Sequence, residues 1–505
     1  PSMDHAPIKA QGIHMVDATE GRLRSYMING RDVYYLVHDG DNFTVTQLDG
    51  PRHEETIFDN TGEAWLNSVT KADDLTQPVD LVELYTRIRG MIDIGWAFRH
   101  QDVDCTFLAA YTMCLTVMTV FARQTSIILN AEHESGKSRF TTGFVGGLGF
   151  PRINVVAHAV AMQGYTAASI RQQRNNSSLA LCLEEFEDYG GNDAKSIAVR
   201  KVLEMFRDLI SESPIALSIG TTTGESRIFR LRMPLVACAI RPLREAASLS
   251  RFIQFELVKA PGHGDPVDLI VDKYGEAGVR QTRHELAIGL LPHMNALRTH
   301  QAAIAKEYAA GAQLPAHASS RFREALYPLL AMLRLLDELA VASGRPGAIP
   351  DYRQFAYDFT DSRREALARL KTTAQDEQIF ETLMSSPIQI TAVGDRTLTS
   401  GDTNIRVMLS DLNQLDEINK TKRGVYLDVK MEWLIVNWIE AQQGVLAQTK
   451  YRGEAPTYLK DIAQRSPHHI ATDDVKRALV LERMVDVMGP CQPIAQIWVF
   501  SVKHC

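Results

Sequence analysis

An α/β core with a β-rich N-terminal module, a helical region and a winged-helix-like C-terminal module is the fold class this sequence predicts. Three observations carry that expectation. A short apolar run at Ser126–Asn130 leads straight into a loop containing Gly136-Lys137-Ser138 and then a helix-compatible stretch. A second apolar run at residues 178–183 ends in the acids Glu184 and Glu185. Residues 280–385 then carry apolar positions at helical spacing in segment after segment, with no heptad long enough for a coiled coil.

The loop bears the most chemistry. Ala131-Glu132-His133-Glu134-Ser135-Gly136-Lys137-Ser138 follows the phosphate-loop pattern G-x-x-x-x-G-K-[ST], with Ala131 in place of its first glycine. Such a loop wraps backbone N–H groups around phosphates at the positive end of a new helix. Residues 131–138 and Arg139 are therefore the candidate contacts to ATP. Lys137 would reach the β- and γ-phosphates, and the Ser138 hydroxyl would ligate Mg²⁺.

Hydrolysis also needs one carboxylate on the metal side and one to orient the attacking water. Glu184 fits the metal-side position and Glu185 the base position; a register using Glu187 and Asp188 is the alternative. Arg251, just ahead of a strand-like run, is the candidate for a residue acting on the γ-phosphate of a neighbouring subunit, with Arg207, Arg241 and Arg244 as further candidates. Arg241 follows the apolar strand at residues 235–240, where a polar residue would meet the phosphate or the water.

The remaining chain divides around this core. Residues 1–75 alternate in short stretches between Asp-Gly and Asn-Gly turns, which is β grammar. Residues 76–125 are a helical lead-in whose uncharged run at 105–121 is expected to be a buried helix and no membrane span. The core spans 126–260. Within it, a strand is expected at 153–156, a helix capped by Thr166 at 163–173, an amphipathic helix at 194–211, and a β-hairpin from 215–219 and 227–232. A helical bundle or lid follows at 261–375. In the C-terminal module (376–505), helices are expected at 431–445, 455–465 and 472–486 before a terminal β-run at 497–500.

Composition is that of an ordinary globular chain: 505 residues, 45% apolar, 23% charged and a net charge of -7. That balance excludes a protein coated in positive charge, while leaving room for a basic pore or face. Six scattered cysteines without a C-x-x-C pair predict reduced thiols in a cytoplasmic protein and no zinc site. His468-His469 read as loop residues without a metal partner.

Residues 105–258 resemble the AAA+ helicase domain of phage, plasmid and mobile-element replication proteins, including primase-helicases and superfamily 3 helicases. The segments carrying the resemblance are SIILNAEHESGKS, TAASIRQ (166–172), SLALCLEEFED (178–188), MPLVACAIRP (233–242) and SLSRF (248–252). Ala131 and Glu184 depart from the usual Gly and Asp.

The resemblance implies a DNA helicase, expected as a homohexamer in a bacterial host's cytoplasm, threading single-stranded or forked DNA and working with a primase. The hairpin would be the pore element, with Arg227, Arg230 and Arg232 tracking phosphates. Lys476, Arg477 and Arg483 of the C-terminal module are further DNA-contact candidates. The chain opens on Pro1 and shows no secretory or primase signature, so a helicase without its primase, or the C-terminal part of a primase-helicase, is expected. The rival expectation is an ATPase switch in a defence or signalling assembly, in which ATP organises oligomers without unwinding anything.

Overall fold

The computed structural model describes residues 8–364, except 20, 41, 132–134, 187–193, 210–215, 221–225, 241–250, 260–263, 312–313 and 316–317. Beyond these it describes residues 418–420, 425–428, 433–437 and 497–501. The chain forms two compact units, Pro1–Leu367 and Ala368–Cys505.

The first unit opens with a short strand β1 (Ile8–Lys9) and an antiparallel meander of β2 (Gly12–Thr19), β3 (Arg22–Asn29), β4 (Asp32–Asp39) and β5 (Asn42–Leu48). Its hairpins are two-residue turns. Gly30 and Gly40 each take the first turn position at φ 63 and 58, a conformation glycine adopts without a Cβ clash. Tyr26, Ile28, Val33 and Phe58 are packed together on one side of this sheet. The strand β7 (Thr56–Phe58) returns to pair with β1, and the strand β6 (Arg52–His53) pairs with β7.

The helical lead-in forms as its periodicity requires. In α1 (Leu81–Gly95) the buried positions Leu81, Leu84, Tyr85, Ile88, Met91 and Ile92 recur at three- and four-residue intervals. Asp80 caps it by accepting from the Val82 and Glu83 amides at 3.1 and 3.0 Å. The next helix, α2 (Gln101–Val117), is buried at every residue from Asp104 onward. The apolar segment Gln101–Val120 is long enough to cross a membrane by length and composition, yet here it is enclosed by the fold.

The core is a five-stranded parallel sheet. In chain order its strands are β8 (Ser126–Asn130), β9 (Ala159–Met162), β10 (Ala180–Leu183) and, after the hairpin, β13 (Leu235–Ala239) and β14 (Phe252–Glu256). They lie side by side as β14-β8-β13-β10-β9, all parallel. The hairpin strands β11 (Ala216–Gly220) and β12 (Ser226–Arg230) pair antiparallel outside this sheet, as expected. Helix α3 (Ala167–Gln173) has Thr166 as its cap, accepting from the Ser169 amide at 3.1 Å, and α4 (Ala194–Leu209) follows β10.

One strand expectation is corrected. Residues 153–156 pair with no strand; the edge strand forms later, at Ala159–Met162. The reason is local. Asn154 is buried, and its side-chain amide donates to the Val145 carbonyl at 3.0 Å, so this apolar stretch closes the end of the preceding helix.

The helical region consists of α5 (Pro266–Gly289), α6 (Met294–Ala309), α7 (Ser320–Ala342) and α8 (Tyr352–Ser362). Asp265, Ser319 and Asp351 cap α5, α7 and α8 through their side chains. Gly275, at φ 69 and ψ 157, kinks α5. Arg363, just past α8, forms a buried ion pair with Asp104 of α2, and its guanidinium lies 4.2 Å over the Phe359 ring.

In the second unit, β15 (Ile418–Lys420), β16 (Val425–Asp428), β17 (Trp433–Asn437) and β18 (Ile497–Ser501) form an antiparallel sheet in that order. The helix expected at 431–445 is thus corrected to a strand across Trp433–Asn437. Trp433-Leu434-Ile435-Val436 is a short aromatic and β-branched run, a length at which apolar periodicity does not separate helix from strand. The terminal β-run is present as β18. The helices expected at 455–465 and 472–486, with His468, His469, Lys476, Arg477 and Arg483, lie outside the described residues.

Candidate functional site

The order of the parallel strands marks one crevice. From β8 the chain crosses β13 and β10 to reach the far edge at β9, whereas from β13 it crosses β8 to reach β14. Connections leaving two neighbouring strands in opposite directions open a crevice at the carboxyl ends of those strands, here β8 and β13. The loop after β8 emerges there.

That loop is held from three sides. The Ala131 amide donates to the Ala239 carbonyl at 3.0 Å, extending the β8–β13 pairing by one residue. Lys137 Nζ donates to the Ala131 carbonyl at 3.2 Å, so its ammonium folds back across the loop. The Gly136 carbonyl accepts from the Phe140 amide at 3.1 Å and from Trp96 Nε1 at 2.9 Å. Gly136 sits at φ 80, and a Cβ there would lie 3.2 Å from Trp96 Nε1, so the position demands glycine. The Trp96 ring stands edge-on to Phe140 and Phe144, with centroids 5.0 and 5.3 Å away.

The helix opening at Lys137 is wide. Residues Arg139–Val145 adopt a π-helical turn, with the Gly146 amide donating five residues back to the Thr141 carbonyl at 3.1 Å. Insertions of this kind are frequent at functional sites. In this turn the Thr142 hydroxyl lies 2.9 Å from the Ser138 carbonyl and 2.7 Å from Glu184 Oε1. Its single proton serves one acceptor at a time. Thr142 thereby joins the loop helix to the acid that ends β10.

Glu184 is half-buried, while Glu185 exposes its side chain and takes φ 50, a left-handed conformation uncommon for glutamate. Pairing resumes immediately after it, with the Phe186 amide donating to the Cys238 carbonyl at 2.9 Å. The two acids therefore occupy a kink between Leu183 and Phe186. Beside them the Cys238 thiol is pushed up to about 11 by burial, reinforced by the nearby Glu184 carboxylate and opposed by the Lys137 ammonium.

Some expected residues are placed otherwise. Arg139 directs its guanidinium to Asp265 at the start of α5, with Nε 2.8 and 2.9 Å from the two carboxylate oxygens, and lies 4.7 Å over the Phe150 ring. It braces the loop helix against α5. Arg251 stands at the amino end of β14, beside Ser126 at the start of β8. One five-residue strand, about 15 Å long, separates it from the loop of its own chain. Arg207 lies in α4, 3.9 Å from Glu204. Glu132, His133, Glu134, Glu187, Asp188, Arg241 and Arg244 lie outside the described residues.

Sequence reading missed Thr142, Trp96, Asp265 and Cys238. Thr142 had a detectable signal, since it follows Ser138 by four residues and must share its helix face. The others are brought in by tertiary packing from segments without motif.

The donor types fit a divalent cation and a phosphate. Ser138 and Glu184 offer hard oxygen donors of the kind Mg²⁺ takes, and Thr142 links their backbone and side chain. Lys137 and the amides that follow Gly136 form the cationic side.

No protein-family model matches the chain, and no curated protein matches it. Among solved structures, it is similar in part to a full-length MCM homolog from Methanopyrus kandleri, at 12% identity and a TM-score of 0.30, over 69% of this chain and 77% of that one. It is also similar in part to the apo A form of the NrS-1 C-terminal region, at 10% identity and a TM-score of 0.25, over 68% of this chain and 83% of that one. At these scores neither neighbour bears on the chemistry of this chain.

Proposed function

We infer that the protein is an ATP-hydrolysing DNA translocase of the helicase type, acting as a ring of identical subunits in replication of phage or mobile-element DNA. One observation carries the reading. The loop of Gly136, Lys137 and Ser138 and the acid Glu184 meet at the crevice of the sheet, joined through Thr142 at 2.7 Å. Loops of this type hold triphosphates, and an acid at the end of a nearby strand is what hydrolysis adds.

In this reading the amides after Gly136 and the Lys137 ammonium bind the β- and γ-phosphates. The Ser138 hydroxyl and Glu184 hold Mg²⁺, which when bound neutralises charge on the phosphate oxygens. Glu185, next to Glu184 in the kink, orients the attacking water and takes its proton. Arg251 lies too far from the loop of its own chain to touch the same phosphate, which supports a role across a subunit interface. There its guanidinium would meet charge developing on the γ-phosphate. The β11–β12 hairpin would be the element that grips DNA.

Phosphate release with and without a single-stranded oligonucleotide tests the reading. A translocase hydrolyses faster with DNA and loses the activity in Lys137→Ala. A nucleotide switch hydrolyses at one rate with or without DNA, and that outcome would overturn the translocase assignment.

A further inference from the structure

Four cationic side chains converge where the N-terminal strands meet the base of the hairpin. Lys9 ends β1, Arg230 ends β12, Arg232 follows two residues later, and Arg298 comes from α6. The backbone ties these segments together: the Asn176 amide donates to the Arg230 carbonyl at 2.7 Å, and the Ala10 amide to the Asn176 carbonyl at 3.0 Å. Lys9 and Arg232 are half-buried, and Arg230 is exposed. Burial, then Arg232 and Arg230, lowers the Lys9 ammonium below its usual range; burial, then Arg298, does the same to Arg232.

None of the four meets a carboxylate among the described residues. Arg232 donates to the Phe121 carbonyl at 3.0 Å, and Arg298 Nη1 lies 3.1 Å from the Met15 sulfur, both neutral partners. The neighbouring His14 is pushed down to about 3 by burial and by Lys9, so it is neutral and adds no charge. Gathering half-buried cations without a counter-charge is costly, and a bound anion offsets that cost. This happens in a chain whose acids outnumber its Lys and Arg residues, 61 to 54.

We propose that Lys9, Arg230, Arg232 and Arg298 form a binding site for the phosphodiester backbone of a single-stranded polynucleotide at the foot of the hairpin. The site rests on the DNA-translocase reading and extends it from the hairpin to β1 of the N-terminal module and to α6, where Lys9 and Arg298 carry no motif. A backbone is the fitting anion because the cations are spread over three separated segments and continue into the hairpin. A lone phosphate would neutralise only part of them.

The test is fluorescence anisotropy of a labelled oligothymidylate, without ATP, at a series of salt concentrations. Lys9→Ala combined with Arg298→Gln is expected to weaken binding about 10-fold and to reduce the salt slope by about 0.7 for each phosphate no longer neutralised. The charge-keeping pair Lys9→Arg and Arg298→Lys should bind as wild type does, which separates charge from folding. ATP affinity, read in parallel, should be unchanged in both pairs.

Wild type that binds no oligonucleotide would sink this inference and the DNA-translocase reading together. Wild type that binds, with a double variant matching its affinity and slope, would overturn this inference alone. Inorganic phosphate that displaces the oligonucleotide at micromolar concentration would mark a free-phosphate site and overturn it as well. A double variant that keeps DNA affinity but no longer self-associates would make the cluster a protein interface, and the polynucleotide site would again be refuted.

Discussion

The Thr142 hydroxyl lies 2.7 Å from Glu184 Oε1, and that contact joins the loop helix to the acidic end of β10. Thr142→Ala should leave the fold intact, because its other partner is only the Ser138 carbonyl of its own helix. Supporting partners of metal-binding residues are worth about 10- to 100-fold. ATP turnover should fall by that factor and require more Mg²⁺, with Thr142→Ser restoring most of it. Steady-state kinetics across a Mg²⁺ series measures both.

Gly136→Ala places a methyl group at φ 80 and 3.2 Å from Trp96 Nε1. Backbone strain of this kind costs about 1–3 kcal/mol. The unfolding midpoint should fall accordingly, and nucleotide affinity with it. Trp96→Phe keeps the rings packed on Phe140 but deletes the hydrogen bond to Gly136, so affinity should fall with a smaller change in stability. Thermal melts and nucleotide titrations of the two variants separate the effects.

The Asp104–Arg363 pair is buried, with both side chains almost out of reach of water. Removing one partner of such a pair strands the other and costs about 3–5 kcal/mol, whereas replacing both with apolar groups is near neutral. Asp104→Ala should therefore destabilise the first unit far more than Asp104→Leu combined with Arg363→Met. Denaturant unfolding of the three proteins checks the order.

His14 and His158 are buried, and burial pushes them down to about 3 and about 4. Unfolding returns both to an ordinary value near 6.5, so the unfolded chain binds protons that the fold refuses. Stability from each is complete above pH ~6.5 and is lost as pH falls toward the folded values, with about 2 kcal/mol gone per histidine at pH ~5. Urea midpoints should drop between pH 7 and 5, and His158→Gln, whose amide can still donate to the Ser178 carbonyl, should flatten that slope.

Local patterns were legible wherever the chain itself sets the structure. Ser126–Asn130 and Ala180–Leu183 are strands because short apolar runs end at a loop and at acids, and Thr166 caps α3 because a hydroxyl there meets the Ser169 amide. Residues 153–156 misled because their apolar character serves helix closure by Asn154, and 433–437 because five residues do not distinguish two periods. Trp96, Asp265, Lys9 and Arg298 reach their places only by tertiary packing. A residue forty positions from the loop, such as Trp96, has no spacing rule to reveal it.

The most direct measurement is calorimetric titration of ATP with Mg²⁺ into the purified protein and into Lys137→Ala. The account predicts one site per chain in the wild type and loss of that binding when the ammonium is removed. Absence of binding to the wild type, or equal affinity in both proteins, would contradict it.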